Sequence, residues 1–236
     1  MYGTKDMKNK NIITVRNLIR CLNIDNLRNY EVVSNLVRTF GIMPWVHTGM
    51  PLSGPEEIFV NPTGMAAIGQ TPNQIAKALV YLSDFKIHSF CEIGICYGGN
   101  FLFMSEYLRR FNPDIECTGV DPSDYLDSEV KEIIDAEGWL HYEKVISDEI
   151  AGRKFDLVFI DADHTKEWIV RDYDNVGRYA HICMFHDVQE TLWPDAVVEW
   201  NKLKSITDKE VMEFLDCEVG FTTHGIGMIH DRELKR

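Results

Sequence analysis

The stretch Asp156-Leu157-Val158-Phe159-Ile160-Asp161-Ala162-Asp163-His164 is an apolar run that ends in acids and a histidine. It has three counterparts: Cys91-Glu92-Ile93-Gly94-Ile95-Cys96-Tyr97-Gly98-Gly99, Gly119-Val120-Asp121 and Ile182-Cys183-Met184-Phe185-His186-Asp187. Short apolar runs alternating with helix-length segments read as the strands of a parallel sheet. In such a sheet ligands bind beyond the carboxyl ends of the strands, so carboxylates and glycines at successive ends converge on one crevice. A cofactor site with chemistry beside it is the expected result.

Outward from these runs, the pattern predicts strands near 89–95, 115–121, 140–146, 155–161 and 181–187, with helices near 99–111, 126–137, 165–179 and 193–204. Val211 to Val219 and Phe221 to His230, joined around Gly220, read as an antiparallel hairpin closing one edge. The fold class is α/β, a doubly wound, mostly parallel seven-stranded sheet. Upstream, Thr71 is a candidate N-cap with Pro72 at the first helical position, ahead of Ile75, Ala78, Leu79 and Leu82. Residues 12–40 show the spacing of two helices, through Ile13, Val15, Leu18, Ile19 and Leu22, then Val32, Val33, Leu36, Val37 and Phe40. Residues 41–72 are rich in Gly and Pro and read as a long irregular segment of the kind that forms lids. A helical cap and lid over 1–72 is therefore expected on a catalytic domain over 73–236.

The 236 residues include 45% hydrophobic and 26% charged, which is ordinary for a globular chain. No apolar stretch approaches the roughly 20 residues that span a bilayer. The polar start and the interruptions by Arg16, Arg20 and Arg28 do not form a secretory core, so a cytoplasmic location is expected, with no membrane partner. A net charge of −13 opposes nucleic acid as a partner. Six cysteines, at 21, 91, 96, 117, 183 and 217, show neither a Cys-x-x-Cys pair nor zinc spacing and read as reduced thiols packed as small hydrophobes, with a catalytic Cys96, in the glycine turn, as the alternative.

The turn after the first strand is Gly-x-x-x-Gly-Gly, followed by Asn100 and a helix. Glycine tolerates positive φ and close approach of a ligand, and the helix start offers free N–H groups. The dinucleotide pattern Gly-x-Gly-x-x-Gly is missing, and Glu92 would repel a diphosphate. A carboxylate suits a cofactor with a cationic amino acid end. At these residues the chain resembles class I S-adenosylmethionine-dependent methyltransferases, whose first motif is an acid followed by Gly-x-x-x-Gly. The resemblance implies their Rossmann-like fold, with Glu92, Gly94, Gly98 and Asn100 around the cofactor and Asp121 on the two ribose hydroxyls. It also implies Ser147 and Asp148 beside adenine, with Asp161 closing the pocket. Plainer alternatives stand beside each: Gly98 and Gly99 as a turn, Asp121 as a helix cap, Asp148 as a solvated acid.

Asp161 and Asp187 end two runs expected to be neighbouring strands about 4.8 Å apart, close enough to share one hard cation. The runs 160–164 and 185–188 resemble the branch of cephalosporin-hydroxylase-like proteins and metal-dependent O-methyltransferases of macrolide sugars. By that resemblance Asp161 and Asp187 hold metal, His164 is a candidate general base beside a catalytic Asp161, and the acceptor is a small sugar-like or polyhydroxylated molecule. His186 stands where relatives carry an acid. Mg²⁺ prefers oxygen, so Mg²⁺, Mn²⁺, another first-row ion or no metal stay open. His164 could instead cap a helix or bond Asp163, and Asp163 is read as a cap for the helix near Thr165. Trp45, His47 and Trp193 could form an aromatic wall for the acceptor or anchor the core. The N-terminal helices could serve as a homo-oligomer contact or a plain cover. Two other functions remain: a nicotinamide-dependent oxidoreductase, and a non-catalytic nucleoside-binding or assembly protein on the same fold.

Overall fold

The computed structural model describes residues 4–46, 66–189, 193–216 and 224–232, without the side chains of 4–10 and 45. The alternation read in the sequence is the alternation observed. Strands β1 (Ser89–Ile93), β2 (Glu116–Val120), β3 (Leu140–Glu143), β4 (Leu157–Ile160), β5 (Ile182–His186), β6 (Glu210–Phe214) and β7 (Ile226–His230) form one sheet, in the order β3-β2-β1-β4-β5-β7-β6. The first five run parallel, while β7 is antiparallel to both β5 and β6.

Every residue of β4, β5 and β7 is buried, as expected for strands covered on both faces. The edges β3 and β6 carry His141, Glu143, Glu210 and Glu213, charged or polar residues that discourage pairing with another chain. The expected hairpin is present in substance, but β7 is inserted between β5 and β6; its connecting residues around Gly220 lie outside the described residues. The strands are shorter than the apolar runs because their last residues leave β geometry: Gly94 has φ +89° and Asp187 has φ +57°. That departure turns the acidic residues toward the crevice.

Helices α1 (Thr4–Cys21), α2 (Ile24–Leu27) and α3 (Tyr30–Phe40) replace the two expected over 12–40. Asn23 and Asn29 each cap a new start by accepting the N–H of Asp25 and Glu31, which divides one apolar pattern into separate helices. Ile13 and Leu18 prove exposed, whereas Ile12, Val15 and Ile19 are buried. Then come α4 (Pro72–Leu82), α5 (Gly99–Phe111), α6 (Ser128–Ala136), α7 (Lys166–Asn175) and α8 (Pro194–Ile206). Thr71 and Pro72 stand as N-cap and first residue of α4.

Helix α5 is buried along its whole length except at Arg109 and Arg110, because it has the sheet on one side and α1, α2 and α4 on the other. Residues of α1, α3, α4, α5 and the sheet share one continuous apolar cluster. Polar ties fasten the two layers: Arg16 and Arg20 both bind Glu106 and Glu137, and Tyr107 Oη donates to the Leu27 carbonyl at 2.7 Å. Among the described residues, no helix is long and apolar enough to cross a membrane. Most of the expected lid falls at 47–65, outside the described residues.

Candidate active site

Two adjoining cavities open at the carboxyl ends of the parallel strands. One, of about 370 Å³, runs past Asp121, Ser123, Tyr125, Ile146, Ser147 and Trp168. The other, of about 400 Å³, holds Gln70, Glu92, Asn100, His164, His186, Asp187, Trp193 and His224. Gly94, Cys96, Asp161 and Ala162 line both and form the boundary between them.

Gly94 is required here: a Cβ would lie 2.3 Å from the Asp161 carbonyl oxygen, so the turn after β1 can pass the end of β4 only without a side chain. Gly98 starts α5 in the left-handed region at φ +81°, and a Cβ on it would strike Leu126 and Val130. Cys96 is also left-handed at φ +49°. Its backbone N–H donates to Asp121 Oδ2 at 2.8 Å, which ties the first turn to the end of β2. Burial pushes the Cys96 thiol up to about 11, so it is not a nucleophile at neutral pH.

Glu92 is 1% exposed. Its Oε1 accepts from Asn100 Nδ2 at 3.0 Å, but Oε2 is buried without a partner, as is Asn100 Oδ1. Burial drives the Glu92 carboxyl well above the usual range, despite the Asn100 bond. A cationic ligand group would remove that penalty. Asp121 Oδ1 accepts from the N–H and hydroxyl of Ser123, at 2.8 and 2.5 Å. A carboxylate has about four lone-pair sites, so with three used Asp121 keeps one for a diol, and the mobile Ser123 hydroxyl can surrender another.

Ser147 lines the first cavity, whereas Asp148 does not: it faces solvent, paired with Arg171 and bonded to Asn175. Arg171 and Asn175 lie on α7, and their pull explains the outward turn. The structure thus brings Glu92, Gly94, Asn100, Asp121, Ser147, Asp161, His164, His186 and Asp187 together at the crevice and leaves Asp148 outside. Gly98 acts one step back, through the turn.

The second cavity is organised around Asp187, 2% exposed. His164 Nδ1 lies 3.1 Å from its Oδ2, and His224 Nδ1 lies 2.7 Å from its Oδ1. His186 Nδ1 is 3.0 Å from Asp161 Oδ1 and 3.4 Å from Asp187 Oδ1. Gln70 Nε2 donates to Asp161 Oδ2 at 2.5 Å. Burial alone would raise Asp187 and lower His186. The surrounding imidazoles outweigh it for the acid, held at about 2, and Asp161 and Asp187 outweigh it for the base, raised to about 9. Asp163 accepts the Thr165 N–H at 2.8 Å; Thr165 is itself the N-cap of α7, so Asp163 braces the turn ahead of the helix and does not cap it.

Among the described residues, two overlapping trios could each hold an ion, Asp161/His164/Asp187 and His186/Asp187/His224, with ligand atoms within 4.8 Å of one another. Their donors are three imidazoles and two carboxylates. That set suits a first-row transition ion better than Mg²⁺, which favours oxygen. Gln70, His224 and Trp168 carried no motif that would announce them. Trp193 is the described member of the expected aromatic wall, its ring 4.9 Å from that of His164; His47 and the Trp45 side chain lie outside the described residues.

Comparison with known proteins agrees with this geometry. A family model described as a methyltransferase domain matches residues 91–188, the span from β1 to the residue after Asp187. Residues 91–188 are thus similar to a methyltransferase domain. Similar solved structures include the O-methyltransferase TomG from Streptomyces achromogenes, in complex with SAM, at 13% identity and TM-score 0.51 over 69% of this chain and 81% of that one. A Staphylococcus aureus protein provisionally assigned as a caffeoyl-CoA O-methyltransferase is 12% identical, with TM-score 0.50 over 73% and 86% of the two chains. The CMeT domain of the citrinin polyketide synthase is 13% identical, with TM-score 0.51 over 69% and 54%. At such identity these likenesses establish the fold. No curated protein sequence matches.

Proposed function

We propose that the protein methylates a hydroxyl of a small, uncharged, sugar-like or polyhydroxylated acceptor in the cytosol, like the metal-dependent macrolide-sugar O-methyltransferases that its 160–164 and 185–188 runs resemble. The observation that carries this reading is the pair of cavities meeting at Gly94, Cys96, Asp161 and Ala162, with His164 and Asp187 on the far side of that boundary. S-adenosylmethionine supplies an electrophilic methyl on a sulfonium. Its nucleoside fits between Asp121 and Ser147, and its ammonium answers the unpartnered Glu92 Oε2.

His164 is the base. Asp187 holds its Nδ1, which leaves Nε2 to take the acceptor's proton, and the carboxylate steadies the imidazolium so formed. Such a base contributes about 10²–10⁴-fold, while holding the acceptor in line with the methyl accounts for roughly 7–11 kcal/mol. Positioning is therefore the larger share, and Trp193 beside His164 is placed to provide it. His186, Asp187 and His224, with Asp161 bonded to His186 beside them, would hold a divalent ion, Mn²⁺ or a similar first-row metal in preference to Mg²⁺. A bound ion there would lower the acidity barrier of an acceptor hydroxyl. The described lining of this cavity contains neither Lys nor Arg to pair with a phosphate, which disfavours phosphorylated acceptors or coenzyme A esters.

Methyl transfer from labelled S-adenosylmethionine to a panel of neutral polyols, with and without chelator, tests the reading. Transfer that falls on chelation and returns with Mn²⁺ is expected. Tight cofactor binding without transfer to any hydroxyl would replace it with a non-catalytic role, and saturable NADH binding would favour an oxidoreductase.

A further inference from the structure

Asp172 is an anomaly in α7. It is 2% exposed and lines the first cavity beside Ser147 and Trp168. Ser147 bonds to its carboxylate, and Asn175 Nδ2 in turn donates to Ser147 Oγ at 3.1 Å, so the group is fixed in place. Yet Asp172 Oδ2 is buried with no partner. An unmet buried acceptor is costly, and α7 carries that cost in the wall of the first cavity.

The surroundings define what would meet it. Val145 and Ile146 provide apolar walls, and Trp168 an aromatic one, backed by the Arg171 guanidinium 4.5 Å from its ring. A flat ring with an N–H donor on its edge fits such a slot. The diol-binding candidate Asp121 lines the same cavity from the end of β2. Asp148, the residue expected to meet adenine, is held outside by Arg171. We propose that Asp172 selects adenine over other bases, its Oδ2 accepting an N–H of the 6-amino group while Ser147 holds the carboxylate. This rests on the S-adenosylmethionine reading above and moves base recognition from the loop after β3 to the interior of α7. Burial raises the Asp172 carboxyl to about 6, so above neutral pH the acceptor form prevails.

The test is calorimetric binding at pH 8 of S-adenosylhomocysteine and its 6-oxo counterpart S-inosylhomocysteine. The oxo group offers no hydrogen to Asp172 and sets an oxygen against it. The parent protein is expected to prefer the amino form by about tenfold or more, the size of one matched base contact. In Asp172→Asn, whose amide can donate, the preference should fall below about threefold or reverse; a merely structural aspartate would weaken both ligands alike. Undiminished preference in a folded Asp172→Asn overturns the assignment and leaves the cofactor reading intact. Equal binding by the parent overturns it even if the variant fails to fold. Binding of neither ligand to the parent removes the cofactor reading and this inference with it.

Discussion

Two ionic clusters in this molecule, each built on a buried carboxylate, have opposite accounts. Between α1 and α5, Glu106 Oε1 meets Arg16 and Arg20, its Oε2 meets Arg20, and Glu137 Oε2 accepts from Trp139 Nε1. Each carboxylate oxygen there has a donor. At the ends of β1, β4 and β5, Glu92 Oε2, Gln70 Oε1 and His186 Nε2 are buried with none. The first cluster is complete and holds the cap to the core. The second is complete only with something bound, and that difference separates a fastening from a site.

The comparison sharpens most at His164. Replacing it with Ala should lower kcat by about 10²–10⁴-fold and leave S-adenosylhomocysteine affinity within about threefold, by steady-state kinetics and calorimetry. Equal kcat in the two proteins would take His164 out of the reaction. Glu106→Gln should do the reverse. Breaking a buried pair costs about 3–5 kcal/mol in urea unfolding, with cofactor affinity unchanged in the folded protein. Weakened binding without lost stability would show that the cap network belongs to the site.

The third prediction concerns pH. His186 is raised from 6.5 to about 9 in the folded protein by Asp161 and Asp187, against the opposing effect of burial. A raised folded value stabilises fully below the unfolded value and loses its effect as pH climbs through the folded one. Stability of the metal-free protein should therefore fall between about pH 6.5 and 9, by about 3 kcal/mol, and His186→Asn should flatten that slope in melts taken across the range. A slope that survives the substitution refutes the assignment. The smallest effect is expected at Glu92→Gln. Relieving a buried, half-satisfied carboxylate should leave stability equal or raised by about 1–3 kcal/mol while weakening the cofactor by about tenfold. Lost stability with full affinity would make Glu92 a fastening like Glu106.

What the sequence disclosed, and what it withheld, follows from how each residue reaches the crevice. Glu92, Asp121, Asp161, His186 and Asp187 sit at the ends of apolar runs, and one parallel sheet must gather such ends. Gln70 arrives from before α4, His224 from before β7, Asp172 and Trp168 from α7. No local pattern marks them, because their meaning comes from which strand their element lies against. Asp148 shows the converse. Its place in the order of elements suggested adenine, but a guanidinium one helix away turns it to solvent. The helical split at Asn23 and Asn29 was written in capping residues, though apolar spacing alone concealed it.

The insertion of β7 between β5 and β6 also dictates a timetable for assembly. His186 pairs in register with Ile226, and Gln189 N–H bonds the His224 carbonyl, so the neighbour of Asp187 comes from a segment translated after β6. Without β7 the sheet would end at β5, with the nucleoside half of the crevice in place and the Asp187 side unwalled. Because β6 pairs only with β7, the two join the sheet together, and His224 closes that flank when they do. Competence to bind a metal should thus appear on the growing chain after competence to bind the nucleoside.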